Sequence, residues 1–535
     1  MLQTTIIILL IVIVLVSFIF RKKPDSDSGQ HKPPIIGANI PLLGCALNYL
    51  KDPIQFLENV QREHDGFFTL KLANRYITMI SSIEMVPNYP KIFYNTTEDQ
   101  LSFYNVFNDF FQIILPFDVK KMKTFSKESL KRLKVNQHKI MPSIQEYMEV
   151  ISYHLDRFFT PERISQQGYQ FDAMEMFPEL ILLINASSVV AKELGSVQDF
   201  RERLLAMFPI LNNGLEGVAL SLPSWCQGWF PNVQKGRQSF LDFVQLIKDV
   251  MIMRSQEPKQ ETIRFDILHL LSKEFFEEKY LKEPPIRDEV AFWKNVTEHY
   301  KDEFYSMCSL LFITIYAGST VFKSSAYTLY SVLNSSKCKM SYIQELQGLI
   351  QEYNNLNHTT FTVGDCMSNR EFLSFYATQA KYAENCVKET LRRYTGPIVL
   401  RKVMKPLTIE TERHGTFKIP MGNGHLLGLS PYMYHHHPDL FPNPFEFHPE
   451  RFDNPDHHSE IFSQSNIGFN GGFHAFSAGK HVCLGAKIAT IQSKCIVAYL
   501  LSKFDLELQQ GLPEPDYSII GIAKPKKPCI VKVKN

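Results

Sequence analysis

The sequence predicts a mainly helical protein with a small β region. Three observations favour this fold class: helical periodicity dominates residues 100 to 300, an apolar helix pattern runs uninterrupted from Glu303 to Asn334, and strand-like alternation is confined to two short parts of the chain. The length of 535 residues fits two to four ordinary domains or one large helical enzyme domain. With 44% hydrophobic residues, the chain has the apolar material for a large core.

The first element is an apolar segment, Leu2 to Phe20, which carries no charge and is followed by the basic residues 21–23. As a helix it would span about 28 Å, close to the hydrocarbon thickness of a bilayer. No basic region precedes it and no small-x-small cleavage site follows, which favours a signal anchor over a cleaved signal peptide. The basic flank places the rest of the chain on the cytosolic side. We therefore expect a single-pass transmembrane helix over 1–20 and a basic, proline-rich linker over 21–45.

The strands are predicted next. Phe67 to Leu72 and Tyr76 to Ile80 indicate a hairpin, and the tail alternates like two strands from Phe504 and from Cys529. Between them, the aromatic run from Phe103 to Phe111 fits either a pocket wall or an ordinary helix core. The basic stretch over 120–139 fits contacts with an acidic group or a solvated face.

Charge and cysteine content disfavour two kinds of partner. Lys and Arg total 57 against 55 Asp and Glu, a net charge of +2 that gives no support for nucleic acid binding. The nine cysteines are scattered, with no CxxC or CxxxC pair. Such a set is typical of reduced thiols in a large enzyme, and it disfavours both a disulfide framework and zinc.

The most specific chemistry lies in the stretch Phe473 to Gly485, which leads directly into the helix pattern AKIATIQSKCIVAYLLSKF. Cys483 therefore lies at a turn that opens a helix, where unpaired N–H groups and the helix dipole favour a thiolate. It is a candidate metal-ligating sulfur; an inert buried thiol is the alternative. Gly479 allows a positive φ in this loop, and Gly485 allows a close approach of helix and ligand.

Phe476, Gly479, Cys483 and Gly485 fit the signature FxxGxxxCxG, which resembles the haem-thiolate loop of the cytochrome P-450 family. His481 stands where Arg is commonest, and this order is similar to the Gly-Arg-His-x-Cys variant of sterol demethylases. The resemblance implies a single, mainly α haem domain over 46–535. It also implies haem, iron protoporphyrin IX, with Cys483 as the axial iron ligand and with Phe476, Gly479 and His481 among the cofactor-binding residues.

Two further motifs occur in the order and at the separations of this family. Glu389-Thr-Leu-Arg392 puts a carboxylate and a guanidinium on one helix face, and Pro449-Glu-Arg-Phe begins 57 residues after Arg392. The resemblance implies that Glu389, Arg392 and Arg451 form one buried structural charge network, since two guanidiniums can satisfy one carboxylate. It also implies that Arg401 reaches a haem propionate; a plain surface arginine is the alternative. In the His435-His-His run we expect His435 to be structural, because consecutive His residues cannot all face one ion.

The segment Tyr316 to Val321 lies in the middle of the long apolar pattern and resembles the oxygen-binding helix of the family, Ala/Gly-Gly-x-Asp/Glu-Thr. Depending on the register, the acid position is taken by Thr320 or by Ser319, and neither is a carboxylate. Thr320 and Ser319 are therefore the candidate catalytic residues, with water completing a proton relay. Sterol 7- and 12-hydroxylases and prostacyclin synthase also depart from the acid here. A core helix with a small-residue kink is the alternative.

The resemblance implies a membrane-bound monooxygenase, an oxidoreductase that hydroxylates a lipophilic substrate, foremost a sterol, oxysterol or related lipid or terpenoid. The implied partners are the lipid bilayer and an NADPH-dependent flavoprotein reductase, docking on the Cys483 side near Lys480, Lys487 and Lys494. The implied location is the endoplasmic reticulum membrane, with the catalytic domain in the cytosol. Two alternatives stay open: a haem-thiolate isomerase or dehydratase of a lipid peroxide, and a non-catalytic haem protein.

Overall fold

The computed structural model describes residues 33–37, 44–73, 75–81, 89–115, 144–160, 162, 170–215, 227–256, 266–272, 276, 288–411, 415–419, 424–453, 472–479, 482–518 and 521–534. The predicted anchor over 1–20, most of the linker over 21–45, the basic stretch over 120–139, Lys480 and His481 lie outside the described residues.

Helices make up most of the described chain, as predicted. In chain order they are α1 Ala46–Lys51, α2 Pro53–Glu63, α3 Tyr89–Asn95, α4 Phe103–Phe111, α5 Ile144–Phe158, α6 Ala173–Asn185, α7 Glu193–Ser196, α8 Gln198–Gly214, α9 Pro231–Gln256, α10 Ile267–Ser272, α11 Glu289–His299, α12 Lys301–Ser319, α13 Val321–Leu333, α14 Ser336–Asn357, α15 Val363–Cys366, α16 Arg370–Gln379, α17 Lys381–Tyr394, α18 Pro431–His435 and α19 Ala486–Lys503. A π-helical turn, Ala186–Val190, continues α6, and the PERF motif forms a 3-10 turn, Pro449–Phe452.

The small β region forms four sheets. Its strands are β1 Ile35–Ile36, β2 Phe67–Leu72, β3 Arg75–Ile80, β4 Leu101–Ser102, β5 Gln170–Asp172, β6 Val399–Val403, β7 Leu407–Thr411, β8 Gly415–Ile419, β9 His425–Leu429, β10 Leu506–Leu508, β11 Pro515–Asp516, β12 Lys524–Pro525 and β13 Ile530–Val533. The largest sheet has the order β1-β2-β3-β9-β6-β4, and β10-β13-β5 form a second. The predicted hairpin is the antiparallel pair β2 and β3, and the two predicted tail strands are the antiparallel pair β10 and β13.

The long apolar pattern is not one continuous helix, so the prediction of an uninterrupted helix from Glu303 to Asn334 is wrong. Helix α12 ends at Ser319 and α13 begins at Val321, with Thr320 between them. The Thr320 N–H donates to the carbonyl of Ala317, three residues back, at 3.4 Å. A long hydrogen bond to the third residue back interrupts the regular series of bonds to the fourth residue back that defines an α-helix.

The core of the protein encloses the two most apolar helical segments. Among the described residues, Ala173–Val190 and Lys301–Leu333 are long and apolar enough to cross a membrane, but 67% and 61% of their most apolar windows are buried inside the protein. Both belong to the two largest clusters of buried side chains. We therefore interpret them as core helices that surround the candidate site.

Candidate functional site

Cys483 lies in the loop before α19, as the sequence predicted. Its backbone N–H donates to the carbonyl of Phe476 at 2.8 Å, which closes the loop on itself. Its thiol is exposed, whereas seven other described cysteines are buried. Helix α19 begins three residues later and its side chains from Thr490 to Leu501 are almost all buried. Cys483 is thus accessible at the start of a core helix, and we interpret it as facing an internal space.

Two opposing effects act on the pKa of the Cys483 thiol. Burial raises it, and hydrogen bonds from the N–H groups of Gly485 and Ala486 lower it by less. The helix N-terminus therefore acts in the expected direction, towards the thiolate, and burial opposes it. The two N–H groups still point at the sulfur, and a cation beside the sulfur would reverse the balance.

Gly479 is required in the loop for two reasons. Its φ is +60°, a conformation that favours glycine, and a Cβ there would lie 2.4 Å from Oδ1 of Asn95. Gly485 is under no such constraint from protein atoms, since a Cβ would meet the Cys483 sulfur only at 3.9 Å. The loop therefore packs tightly on α3 at Gly479 and stays open at Gly485.

Thr320 and Ser319 differ in what they can reach. The Ser319 hydroxyl donates to the carbonyl of Tyr316 at 2.6 Å, and Ser319 is 9% exposed. The Thr320 hydroxyl donates to the carbonyl of Ala317 at 2.8 Å, and Thr320 is half-buried beside the exposed Ala317. Since α12 is otherwise a core helix, we interpret the exposed Ala317 as facing the same internal space. Of the two candidate hydroxyls, only that of Thr320 lies beside this space.

Thr320 and Cys483 stand at the starts of two helices that pack against each other. The contact between α13 and α19 includes a buried cluster of hydroxyls: Ser493 lies 3.0 Å from Ser324 and 3.1 Å from Ser325. These hydrogen bonds between serine side chains hold α13 and α19 side by side. The two candidate residues therefore belong to one part of the fold, although the sequence separates them by more than 160 positions.

The aromatic run of α4 packs against α12. The Phe111 ring lies 5.2 Å from the Tyr316 ring, edge to face, and the Phe110 ring lies 6.2 Å from it. Phe110 and Tyr316 are only half-buried. An incompletely buried aromatic surface next to Ala317 favours the pocket-wall interpretation of this run over the plain core interpretation.

Arg401 is a buried cation without a complete set of partners. It is 1% exposed, and its guanidinium lies 4.9 Å from the rings of Phe93 and Phe103. Nη1 donates to the carbonyl of Leu400 at 2.9 Å, but Nε and Nη2 have no hydrogen-bond partner among the described residues. Burial lowers the pKa of this guanidinium. A buried cation with two free donors is costly unless an anion meets it.

Glu389, Arg392 and Arg451 form one hydrogen-bonded group. Arg392 donates to both Glu389 oxygens at 2.8 Å, and Arg451 Nε donates to Oε1 of Glu389 at 3.1 Å. Arg392 also donates to the carbonyls of His435 and Pro444 at 2.7 Å. Glu389 and Arg392 are fully buried. This group therefore ties α17 to the loop that precedes the Cys483 loop.

His435, which the sequence analysis expected to be structural, carries this connection one step further. Its Nδ1–H donates to the Arg392 carbonyl at 2.9 Å, and its Nε2 accepts the backbone N–H of His474 at 2.8 Å. Both ring nitrogens are used, so His435 is a neutral bridge, and burial lowers its pKa well below the usual value. The described residues show no cluster of His, Cys, Asp or Glu arranged for a metal ion.

The expected docking face for a reductase needs one correction. Lys494 is 1% exposed, and its Nζ donates to the Ala380 carbonyl at 3.2 Å and pairs with Glu384 at 3.6 Å. It offers no charge to a partner protein. Lys487 is exposed on the first turn of α19.

The residues present fit a haem group. An accessible thiol at one helix start, a hydroxyl beside an internal space at another, and a buried guanidinium with two free donors are the groups that an iron porphyrin with carboxylate side chains requires. The Arg401 nitrogens are the most specific of these observations, because a propionate is the kind of anion that satisfies them.

Comparisons with known proteins agree with this geometry. A family model described as cytochrome P-450 matches residues 370–533. The chain is 23% identical over 534 residues to the sterol 14-demethylase of Arabidopsis thaliana, covering 97% of this chain and 96% of that protein. It is 22% identical over 512 residues to the human lanosterol 14-alpha demethylase, covering 94% and 87%. A shorter match, 29% over 154 residues and 28% of this chain, is to the human 24-hydroxycholesterol 7-alpha-hydroxylase, of which it covers 29%.

Proposed function

The chain belongs to the cytochrome P-450 family, as a monooxygenase of the sterol demethylase and hydroxylase type whose cofactor is haem, and on this premise we propose that it hydroxylates a sterol, an oxysterol or a related lipid at the surface of a membrane. The observation that carries the proposal is the accessible thiol of Cys483 at the start of a core helix. We assign residues 46–535 to the catalytic domain, 21–45 to a linker and 1–20 to a transmembrane anchor.

Haem with a thiolate ligand supplies the activation of dioxygen and its insertion into a C–H bond. The protein's part is to hold the group. Cys483 would provide the sulfur ligand, and the N–H groups of Gly485 and Ala486 bond that sulfur. Arg401 would hold a carboxylate of the group with Nε and Nη2, which have no partner among the described residues. Phe476, Gly479 and His481 complete the proposed cofactor contacts.

Thr320 is the proposed proton-transfer residue. Its hydroxyl lies beside the internal space and donates to the Ala317 carbonyl, so it can release that bond and donate towards the space instead. Ser319 is the weaker candidate, since its hydroxyl is buried and bonded to the Tyr316 carbonyl. Without a carboxylate at 317–321, the proton must reach Thr320 through water.

The substrate class rests on the aromatic wall and on the relatives. Phe110 and Tyr316 provide an apolar aromatic surface suited to a fused ring system. Two relatives that match over nearly the whole chain are named for action on sterols. Electrons would come from an NADPH-dependent flavoprotein reductase that docks near Lys487, and the location would be the endoplasmic reticulum membrane with the domain in the cytosol.

The test is an absorption spectrum of the purified full chain, reduced and bound to carbon monoxide. We expect a thiolate-type band that Cys483→Ala abolishes and that Cys495→Ala, a buried cysteine on α19, leaves in place. Sterols added to the oxidised protein should shift its spin state. A thiolate-type band that survives Cys483→Ala would refute the ligand assignment.

A second candidate function is favoured by the missing carboxylate at 317–321. A haem-thiolate isomerase or dehydratase of a lipid peroxide needs neither dioxygen nor delivered protons. Turnover of a lipid hydroperoxide without oxygen and reductase, at a rate unaffected by Thr320→Ala, would support it over the monooxygenase. Strict dependence on oxygen and NADPH would exclude it.

A further inference from the structure

A pair of buried carboxamides lies against the break in the long helix. Gln492 of α19 donates from Nε2 to Oδ1 of Asn185, the last residue of α6, at 2.8 Å. Asn185 is 4% exposed and Gln492 is fully buried. The pair joins two core helices through a single polar contact.

Asn185 also touches the third helix, α12, at Gly318. A Cβ on Gly318 would lie 2.8 Å from Nδ2 and 2.9 Å from Cγ of Asn185. Only glycine lets the carboxamide approach the helix so closely. Gly318 is two residues before Thr320, so the carboxamide presses on the last turn of α12, directly before the break.

The local backbone explains how Asn185 reaches this position. Helix α6 changes at Asn185 into the π-helical turn Ala186–Val190, in which the Ala191 N–H bonds the Ala186 carbonyl. The wider turn shifts the direction of side chains relative to a regular helix. The Ser188 hydroxyl in this turn returns to its own helix, bonding the Ile184 carbonyl at 2.6 Å. Within this segment, the Asn185 side chain thus contacts both α12, at Gly318, and α19, at Gln492.

The carboxamide pair is only half satisfied. Nδ2 of Asn185 and Oε1 of Gln492 have no hydrogen-bond partner among the described residues. Exchanging O and N in both amides leaves the same result, one free donor and one free acceptor. A buried donor or acceptor without a partner destabilises a protein by the cost of removing it from water. A donor and an acceptor on two touching carboxamides are the groups that one internal water satisfies.

We propose that Asn185 and Gln492 are positioning residues that bind one internal water and hold the α12 break so that the Thr320 hydroxyl faces the internal space. Ala317 and Gly318 are about 100° apart around the helix axis. The Asn185 carboxamide therefore contacts α12 at Gly318, on a different side of the helix from Ala317, which faces the internal space. If the Asn185 carboxamide did not pack against Gly318, the last turn of α12 could form regular α-helical hydrogen bonds again. Thr320 would then rotate about the helix axis. The proposal rests on the proposed function, because it concerns the orientation of the proton-transfer residue.

The variants distinguish a clamp, meaning a polar contact that holds α12, from simple packing. Asn185→Leu keeps the number and the branching of the side-chain heavy atoms and removes the hydrogen bond. The double variant Asn185→Gln with Gln492→Asn keeps two carboxamides of unchanged total length. Ser188→Ala is the matched control, since it removes a buried hydroxyl of the adjoining π-helical turn whose hydrogen bond goes to the Ile184 carbonyl of its own helix.

The first measurement is amide hydrogen exchange of the haem-loaded full chain, without substrate or reductase. We expect exchange over residues 317–323 to be at least tenfold faster in Asn185→Leu, normal in Ser188→Ala and largely restored in the double variant. Unchanged exchange in a folded Asn185→Leu protein would overturn the clamp. A high-resolution crystal structure should show a water bonded to both carboxamides, and its absence would overturn the water site.

The second measurement is the share of NADPH electrons recovered in product rather than in peroxide. We expect a severalfold lower share in Asn185→Leu, an unchanged substrate dissociation constant from spin-shift titration, and recovery in the double variant. Faster exchange with an unchanged share would overturn the link to Thr320. If the unmutated protein itself consumes no NADPH, the proposed function fails, whereas the exchange measurement still decides whether the clamp exists.

Discussion

Glu389→Gln tests how much stability depends on the charge network before the Cys483 loop. The substitution keeps the shape of the side chain and removes its charge. Four donors converge on this carboxylate: Nε and Nη2 of Arg392 at 2.8 Å, Nε of Arg451 at 3.1 Å and the N–H of His448 at 3.0 Å. In the variant, one side-chain oxygen remains as an acceptor. The new NH2 group faces the Nε–H of Arg392, so that two hydrogen-bond donors point at each other.

The expected loss follows from burial. A lost charge-assisted hydrogen bond costs about 1.5–3 kcal/mol. Arg392 is fully buried and Arg451 nearly so, and the substitution removes the counter-charge that pairs with both guanidiniums. Breaking a buried ion pair from one side costs about 3–5 kcal/mol, and we expect the free energy of unfolding to fall by that amount. The carbonyl bonds of Arg392 to His435 and Pro444 limit the loss.

The assay is urea denaturation followed by circular dichroism, with the haem content of the purified protein measured in parallel. The control is Glu507→Gln, which removes a half-exposed carboxylate that pairs with Lys534 at 3.3 Å and should change stability little. We expect the Glu389 variant to lose both stability and haem. If it denatures at the same urea concentration as the control, the network contributes nothing of this size, and the reasoning from burial is refuted.

Three further predictions concern single residues. Gly318→Ala should destabilise the protein by about 1–3 kcal/mol in thermal unfolding, because the Cβ must displace Asn185, whereas Gly348→Ala in α14, where a Cβ meets nothing within 4 Å, should stabilise slightly. Arg401→Met should stabilise the haem-free protein by removing a buried cation with two free nitrogens, and should weaken haem retention; a change of the same sign in both measurements contradicts this account. Burial lowers the pKa of His474 to about 3, so below pH 6.5 the unfolded chain takes up a proton that the folded one refuses, and stability falls as pH drops towards 3. In urea denaturation at pH 6.5 and 5, His474→Phe should remove about 2 kcal/mol of this acid sensitivity, and an unchanged pH dependence would show that another group is responsible.

The elements predicted from the sequence were those with strong periodicity. Helix α19, the hairpin of β2 and β3 and the tail strands β10 and β13 follow local patterns of apolar residues, and these patterns are enough to specify each element alone. The break at Thr320 was contained only in the alternative interpretation, a helix with a small-residue kink, because apolar periodicity continues across it. The hydroxyls of Ser319 and Thr320 bond the carbonyls of Tyr316 and Ala317 and so compete with backbone N–H groups for these acceptors. The spacing of apolar residues contains no information about this competition.

The candidate site was predicted only as far as motifs reach. Glu389, Arg392 and Arg451 were found by order and spacing. Two contributions depend on contacts between distant segments: the His435 bridge spans 39 residues to His474, and the carboxamide pair spans 307 residues from Asn185 to Gln492. No local pattern encodes such pairs. The burial of Lys494 was missed for the same reason, because a basic residue on an apolar helix gives no sign of a partner such as Glu384.

The route from Glu389 to Cys483 explains why haem binding and folding should change together. The carboxylate holds Arg392, the Arg392 carbonyl orients His435, and His435 accepts the N–H of His474, at the start of the loop that ends at Cys483. Each link uses a group that is buried from bulk water, so weakening one link frees the next. The route therefore runs from α17 through the loop to Cys483, and a variant in that network should lose haem before it loses helix α19.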